Sequence, residues 1–234
     1  MKKQIHTSGS ERYMNTYHTG WYAHHYNKIW SDLIEKSTSE TMAMIDFDAL
    51  SRIPERLGRK PRVLDIACGT GILLQRLGKH IPEVDAHGVD ASEDMLAQAR
   101  LALQDLPNVQ LRQLTVRRGV TAGLPYLPHT FDLITCTNAL HYISHPVAVL
   151  AALGRLVAPG GYLILEDYTR PDPPFPWSLV EQLARHLEGQ HAREYTMEEA
   201  EILCQQAGLQ ITARKLFIVN WLWHGWVLRL TVPD

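Results

Sequence analysis

Nine residues constrain this chain more than any others: Val63-Leu64-Asp65-Ile66-Ala67-Cys68-Gly69-Thr70-Gly71. Val63, Leu64 and Ile66 form a short apolar, partly β-branched run of the kind that fills a buried strand. Gly69 and Gly71 end that run in a tight loop. Ile72, Leu73, Leu74 and Leu77 follow at helical spacing, and Gly78 closes the helix. Strand, glycine loop and helix make the first half of a nucleotide-binding βαβ unit. Glycine is expected in the loop because a Cβ there would hold the backbone away from a ligand.

What the loop lacks narrows the ligand. Leu74 stands where a dinucleotide fingerprint has its third glycine, and no Gly-Lys-Ser/Thr follows. Asp65 ends the strand instead. A carboxylate aimed into the loop repels a pyrophosphate but suits an ammonium or sulfonium group, so Asp65 and Leu74 both argue against a nicotinamide oxidoreductase. Asp65-x-x-x-Gly69-x-Gly71 resembles motif I of the class I S-adenosylmethionine (SAM) dependent methyltransferases, in particular the small-molecule, type 11/25-like members. The resemblance implies that Asp65, Ala67, Gly69 and Gly71 bind the cofactor.

The second strand is expected over Val84 to Asp90. Asp90 comes about 20 residues after Gly71, the spacing of an acid that accepts hydrogen bonds from ribose hydroxyls. Ser92 is a good N-cap, with Glu93 and Asp94 in the first helical turn. Val89-Asp90-Ala91-Ser92-x-x-Met95 matches the same family's second motif, which implies that Ala91 and Met95 line the adenine. Strand three is ambiguous between Val109–Leu111 and Leu114–Val116. The family's next segment places an Asp on the adenine amino group; here Val120 occupies that position, and backbone atoms or Thr121 are left to serve.

Phe131 to Asn138 reads as strand four and matches the family's Phe-Asp-Leu-Ile run, with Asn138 at its cofactor end. A helix is expected from Pro146 to Val157. Leu156-Val157-Ala158-Pro159-Gly160-Gly161 resembles the family's Pro-Gly-Gly turn, and strand five is expected from Tyr162 to Asp167. Four prolines make the stretch from Arg170 to Trp177 a rigid irregular loop. Its Asp172-Pro173-Pro174-Phe175 looks like the box of amino-group methyltransferases, but that box belongs after strand four. Helices are expected over Ser178 to Leu187 and from Thr196, which forms a capping box with Glu199. Leu209 to Val232 reads as a closing antiparallel hairpin.

The N-terminal part carries rings: Tyr13, Tyr17, Trp21, Tyr22, Tyr26 and Trp30, with His18, His24 and His25 among them. Tyr22, Tyr26, Ile29, Trp30 and Leu33 share an apolar helical face. Such a helix either packs on the domain or acts as a lid over the ligand. Ala23-His24-His25-Tyr26-Asn27 resembles a family segment that contacts the cofactor's carboxylate end, with Asn27 in place of Asp, which implies a cofactor role for Tyr26. A second helix is expected from Thr41 to Leu57.

Composition bounds the partners. At 234 residues and 45% hydrophobic, the chain can bury one sizeable core. A net charge of −2 gives no electrostatic footprint for nucleic acid or an anionic membrane. No apolar run reaches membrane-spanning length. Cys68, Cys136 and Cys204 lie far apart, which fits small buried residues better than disulfides or a zinc site. A cytoplasmic protein, monomer or homodimer, is expected.

The family transfers a methyl group by in-line displacement, so alignment and exclusion of water carry most of the catalysis. A base is needed only where the acceptor starts protonated. His141, just beyond strand four, is the candidate catalytic base; a structural or helix-capping role is the plain alternative. His24, His25, Glu166, Asp167 and Tyr168 are reserves. His141 and His145 are spaced like a helical metal pair, but Tyr142 replaces the glutamate such motifs carry, so no metal is expected.

The expected fold is α/β: a Rossmann-like, seven-stranded, mostly parallel sheet with an antiparallel C-terminal hairpin strand and helices on both faces. Residues 1–57 form an N-terminal helical lid segment and 58–234 the SAM-binding domain. The expected reaction is methyl transfer from SAM, leaving S-adenosylhomocysteine, to a small apolar or aromatic metabolite, in a setting such as secondary metabolism. The alternatives are a SAM-binding cyclase or isomerase that moves no methyl, and a methyltransferase acting on protein or another acceptor.

Overall fold

The computed structural model describes residues 20–115, 124–169, 194–221 and 223–233. The order is α1 (Gly20–Ile29), α2 (Ser31–Ala43), α3 (Phe47–Ser51), α4 (Ile53–Leu57), β1 (Arg62–Ile66), α5 (Ile72–His80), β2 (Asp85–Asp90), α6 (Glu93–Ala102), β3 (Val109–Gln113) and β4 (Phe131–Thr137). A 3₁₀ turn (Leu140–Tyr142), α7 (Pro146–Leu156), β5 (Val157–Thr169), α8 (Met197–Gln206), β6 (Gln210–Ile218) and β7 (His224–Thr231) complete it.

All seven strands join one sheet in the order β3-β2-β1-β4-β5-β7-β6. The first five in that row are parallel, and β7 runs against both β5 and β6. This is the expected Rossmann-like class. The strand order reverses between β1 and β4, and a crevice opens at the carboxyl ends of the strands at such a reversal. Asp65 and Thr135 face each other there across the two strands.

Strand alternation sends apolar side chains into two cores. Leu64, Ile66, Ile134 and Leu163 pack with Leu150 and Leu153 of α7 and Cys204 of α8. Val63, Leu133 and Ile164 pack with Leu74 and Leu77 of α5, Leu96 and Ala99 of α6, and Ile45, Leu50 and Ile53 from the N-terminal helices. Leu74, standing where a dinucleotide fingerprint has glycine, is fully buried. It presses on Gly88, whose absent Cβ would lie 3.1 Å from Leu74 Cδ1 and 2.9 Å from Cys68 Sγ.

Three expectations are corrected. The long helix from Thr41 to Leu57 is absent. α2 ends at Ala43, and Asp46 restarts the chain by capping α3, its side chain accepting from Ala49 N at 2.9 Å; Pro54 sits in the first turn of the separate α4. The aromatic helix breaks at Trp30 instead of running through to Leu33. Pro159-Gly160-Gly161 lies inside β5, which starts at Val157 and shifts register against β4 between Phe131 and Leu133. Gly161 is forced there: a Cβ would stand 2.9–3.0 Å from the carbonyl oxygens of Asp132, Ala158 and Phe131. Strand three is the first of its two alternatives. The capping box at Thr196 and Glu199 is present. The expected helix over Ser178 to Leu187, the proline-rich loop from Arg170 and the rings before Gly20 lie outside the described residues.

Candidate active site

Motif residues gather at the β1–β4 reversal. Beyond β1, Ala67 (φ 56°), Gly69 (φ 53°) and Gly71 (φ 79°) all take left-handed backbone, and the bend is closed by Cys68 N–H to Val89 O (3.0 Å) and Gly71 N–H to Cys68 O (2.9 Å). The glycines answer to the protein itself. A Cβ on Gly71 would meet Leu103 Cδ1 at 2.8 Å, and one on Gly69 would touch Met95 Cε at 3.4 Å. Met95 is buried and its N–H is capped by Ser92 Oγ at 3.2 Å, so Met95 supports the loop from behind.

Asp90 ends β2 and is tied to the bend. Its Oδ2 accepts Gly69 N–H and its Oδ1 accepts Ser92 N–H, both at 2.8 Å. The two bonds hold the carboxylate in one orientation beside the bend. Ala91 follows, its carbonyl accepting from Gln113 Nε2 at 3.0 Å. Asp65 is 1% exposed and its Oδ1 accepts the Thr135 hydroxyl at 2.7 Å. Burial pushes its carboxyl up to about 7, the charge of Asp90 adds to the rise, and the Thr135 hydroxyl opposes it. Burial, with Asp65 and Asp90 close by, pushes the Cys68 thiol up, away from a reactive thiolate.

The N-terminal helices close over this loop. Thr70 Oγ1 donates to Asn27 Oδ1 at 2.7 Å, and Asp94 Oδ2 accepts Gly20 N–H at 2.8 Å, so α1 is fixed across the bend with half-buried Tyr26 next to that tie. His25 Nδ1 donates to Trp21 O at 2.8 Å and its ring stacks on Trp21. Past β4, Asn138 takes φ 49°, and its Nδ2 donates to Ser37 Oγ of α2 at 2.8 Å. Asn138 N–H bonds the Glu166 carbonyl at 3.1 Å.

His141 lies in the 3₁₀ turn and is 3% exposed. Its backbone N–H donates to Asp167 Oδ2 at 3.0 Å, and its Nδ1 lies 2.8 and 3.0 Å from the two Asp167 oxygens. Tyr168 N–H also donates to Asp167 Oδ1, at 2.8 Å. The His141 Nε2 is buried without a partner among the described residues. The rings of Tyr142 and Tyr168 flank the imidazole at 3.9 and 4.6 Å, and Trp223 stands edge-on to Tyr168. Glu166 is fully buried, and neither of its carboxyl oxygens has a hydrogen-bond partner among the described residues. Burial and the adjacent Asp167 charge push its carboxyl up to about 8; the Ser37 hydroxyl and the Asn138 N–H lie near enough to oppose the rise without forming bonds of good geometry.

Of the expected site residues, Asp65, Ala67, Gly69, Gly71, Asp90, Ala91 and Met95 lie in β1, in the bend after it, at the end of β2 or at the start of α6, Asn138 and His141 follow β4, and Tyr26 lies on α1 next to the Asn27–Thr70 tie, while Val120 is outside the described residues. Sequence reasoning missed Thr135 and Ser37. Thr135 stands between apolar Ile134 and Cys136 in the buried middle of β4, and that polar intrusion was the available signal. Among the described residues no group of three or more His, Cys, Asp or Glu side chains gathers closely enough to hold a metal ion.

The arrangement suits the expected cofactor. A buried acid able to ionise near neutrality can meet a cation, and a second acid is oriented by backbone amides beside a bend that carries two glycines. Comparisons with known proteins agree. Over 109 residues the chain is 32% identical to an uncharacterized methyltransferase of Schizosaccharomyces pombe, covering 45% of this chain and 39% of that protein. Over 146 residues it is 31% identical to the ubiquinone biosynthesis O-methyltransferase of Vibrio cholerae, covering 61% of this chain and 57% of that one. The matches therefore span about two-fifths to three-fifths of these relatives' lengths. Among solved structures, magnesium protoporphyrin IX methyltransferase from Synechocystis, with bound S-adenosylhomocysteine, superposes with a TM-score of 0.66 over 95% of this chain and all of that one, at 15% identity. A family model described as a methyltransferase domain matches residues 22–214, most of the sequence. The acids and the bend at the strand reversal thus stand in a known setting: the chain belongs to the methyltransferase domain family, whose members use SAM.

Proposed function

We propose that this protein transfers the methyl group of SAM to a small apolar or aromatic metabolite, leaving S-adenosylhomocysteine. The observation that carries the reading is Asp90, anchored by Gly69 N–H beside buried Asp65 at the point where the strand order reverses. When bound, SAM supplies an electrophilic methyl on a positively charged sulfur. Asp65 meets the positive end of the cofactor, Asp90 takes the ribose hydroxyls, and Ala91 and Met95 border the adenine. Ala67, Gly69, Gly71 and Asn138 shape the backbone around it, and Tyr26 contacts its amino-acid end. Residues 1–57 serve as a lid segment on the 58–234 domain, a role supported by the ties of α1 to Thr70 and Asp94.

The acceptor side is read from the rings. Tyr142, Tyr168 and Trp223 around His141 favour a flat apolar acceptor. His141 takes the acceptor's proton where it has one. The V. cholerae relative is named for O-methylation in ubiquinone biosynthesis, which supports a ring hydroxyl as the attacking group. A metabolite of secondary metabolism and a cytoplasmic setting belong to the same reading. The three cysteines are free and buried, which suits a reducing compartment. The test is incubation with methyl-labelled SAM and a panel of phenols, amines and thiols. Label in a phenol is expected. Binding of SAM with no label in any small acceptor or protein would favour a cyclase or isomerase instead.

A further inference from the structure

We propose that Asp167 is the positioning residue of the site: it fixes His141 as the Nδ1–H tautomer, leaving Nε2 as the proton acceptor for a hydroxyl-bearing substrate. The inference rests on the proposed function for its substrate but not for its geometry. Asp167 is 1% exposed, and both of its oxygens are surrounded by donors: the backbone N–H of His141, the backbone N–H of Tyr168 and the imidazole Nδ1. A carboxylate so placed can only accept, so the ring must present a proton at Nδ1. The other ring nitrogen is then a bare lone pair, and it is the one left buried without a partner among the described residues. The same side chain also holds the His141 backbone, so ring orientation and 3₁₀ turn are set together. A buried nitrogen lone pair without a donor costs stability that packing alone does not recover. A substrate O–H supplies that missing donor.

The step balances without a further reactant. The acceptor oxygen forms its bond to the methyl carbon as the carbon–sulfur bond breaks and its electrons return to sulfur. The hydroxyl proton passes to Nε2, and the resulting imidazolium, paired with Asp167, later releases it to water. Consecutive β5 residues point to opposite faces, so Glu166 faces α2 and makes no hydrogen bond with this pair, although the Asp167 charge raises its carboxyl.

Nitrogen-15 spectra of histidine-labelled protein test the geometry, with His141→Asn assigning the signal. Wild type is expected to show a proton on Nδ1 and none on Nε2. In Asp167→Ala the signal is expected to move toward the Nε2–H form that free histidine prefers. An Nε2–H ring in the wild type overturns the inference, and so does an unchanged pattern in a folded Asp167→Ala. The wild-type spectrum decides alone if that variant does not fold. With labelled SAM and any phenol that accepts methyl, Asp167→Ala should lower kcat about 100-fold, with phenol KM and S-adenosylhomocysteine affinity changed less than about threefold. Parallel loss of S-adenosylhomocysteine binding would mark a merely structural role. If no phenol accepts methyl, the acceptor reading falls, while the spectra still decide the role of Asp167.

Discussion

In the proposed function, Asp65 is the single residue that couples the fold to the ligand. Its carboxyl is pushed up to about 7 by burial, so near neutrality it is divided between acid and carboxylate. A cation binds the carboxylate form. SAM affinity should therefore rise as pH goes from 6 to 8, and Asp65→Asn should flatten that rise; titration calorimetry at several pH values checks it. Thr135→Val removes the hydroxyl that favours ionisation, so the same rise should move to higher pH. At this scale the sequence was informative where chemistry shows in residue type. Asp65, Asp90 and the two glycines are legible as an acid-and-bend motif. Asp90's tie to Gly69 was not, because backbone partners leave no mark on residue type. The role of Gly71 was legible only in part: spacing called for a glycine, but its reason lies in Leu103, over thirty positions away.

Between elements, two buried acids make stability depend on pH. Glu166 of β5 lies under Ser37 of α2 with a carboxyl raised to about 8, and Asp65 is raised as well. From about pH 4.5 up to the folded-state values, about 7 for Asp65 and about 8 for Glu166, the unfolded chain has lost these protons while the folded chain keeps them. Stability should therefore fall as pH rises through that window, by about 1.4 kcal/mol per pH unit for each group at most. Glu166→Gln should remove one share of the slope and match or exceed wild-type stability at pH 8; urea unfolding at pH 5 and 8 measures both. A steeper fall in the variant would contradict the assignment. On the same strand, Gly161→Ala sets a Cβ against three carbonyl oxygens, and thermal unfolding should show a loss of about 2 kcal/mol or more. Helix α1 depends on fewer ties. Thr70→Val removes its bond to Asn27, at about 1 kcal/mol, and amide exchange in α1 should quicken while β1 stays protected. Element boundaries were the least legible feature. The break at Ala43 and the restart at Asp46 depend on a cap bond and on Tyr162 Oη receiving Asp46 N–H at 2.8 Å, and a partner more than a hundred positions away cannot be found from local periodicity.

The whole molecule was the most legible of all. Alternating apolar strands and helical runs from Arg62 onward force a parallel sheet covered on both faces, and the C-terminal run closes it antiparallel. The acceptor side of the proposed function was not legible, since the ring cluster of His141, Tyr142, Tyr168 and Trp223 is drawn from separate parts of the chain. The central claim, that SAM sits at the β1–β4 reversal between Asp65 and Asp90, is met most directly by one calorimetric titration. The account predicts that SAM binds one site per chain, is displaced by S-adenosylhomocysteine, and loses about tenfold or more in affinity in Asp90→Ala, consistent with hydrogen bonds to a charged group. Absence of heat with the wild type, or full affinity in a folded Asp90→Ala, would contradict it.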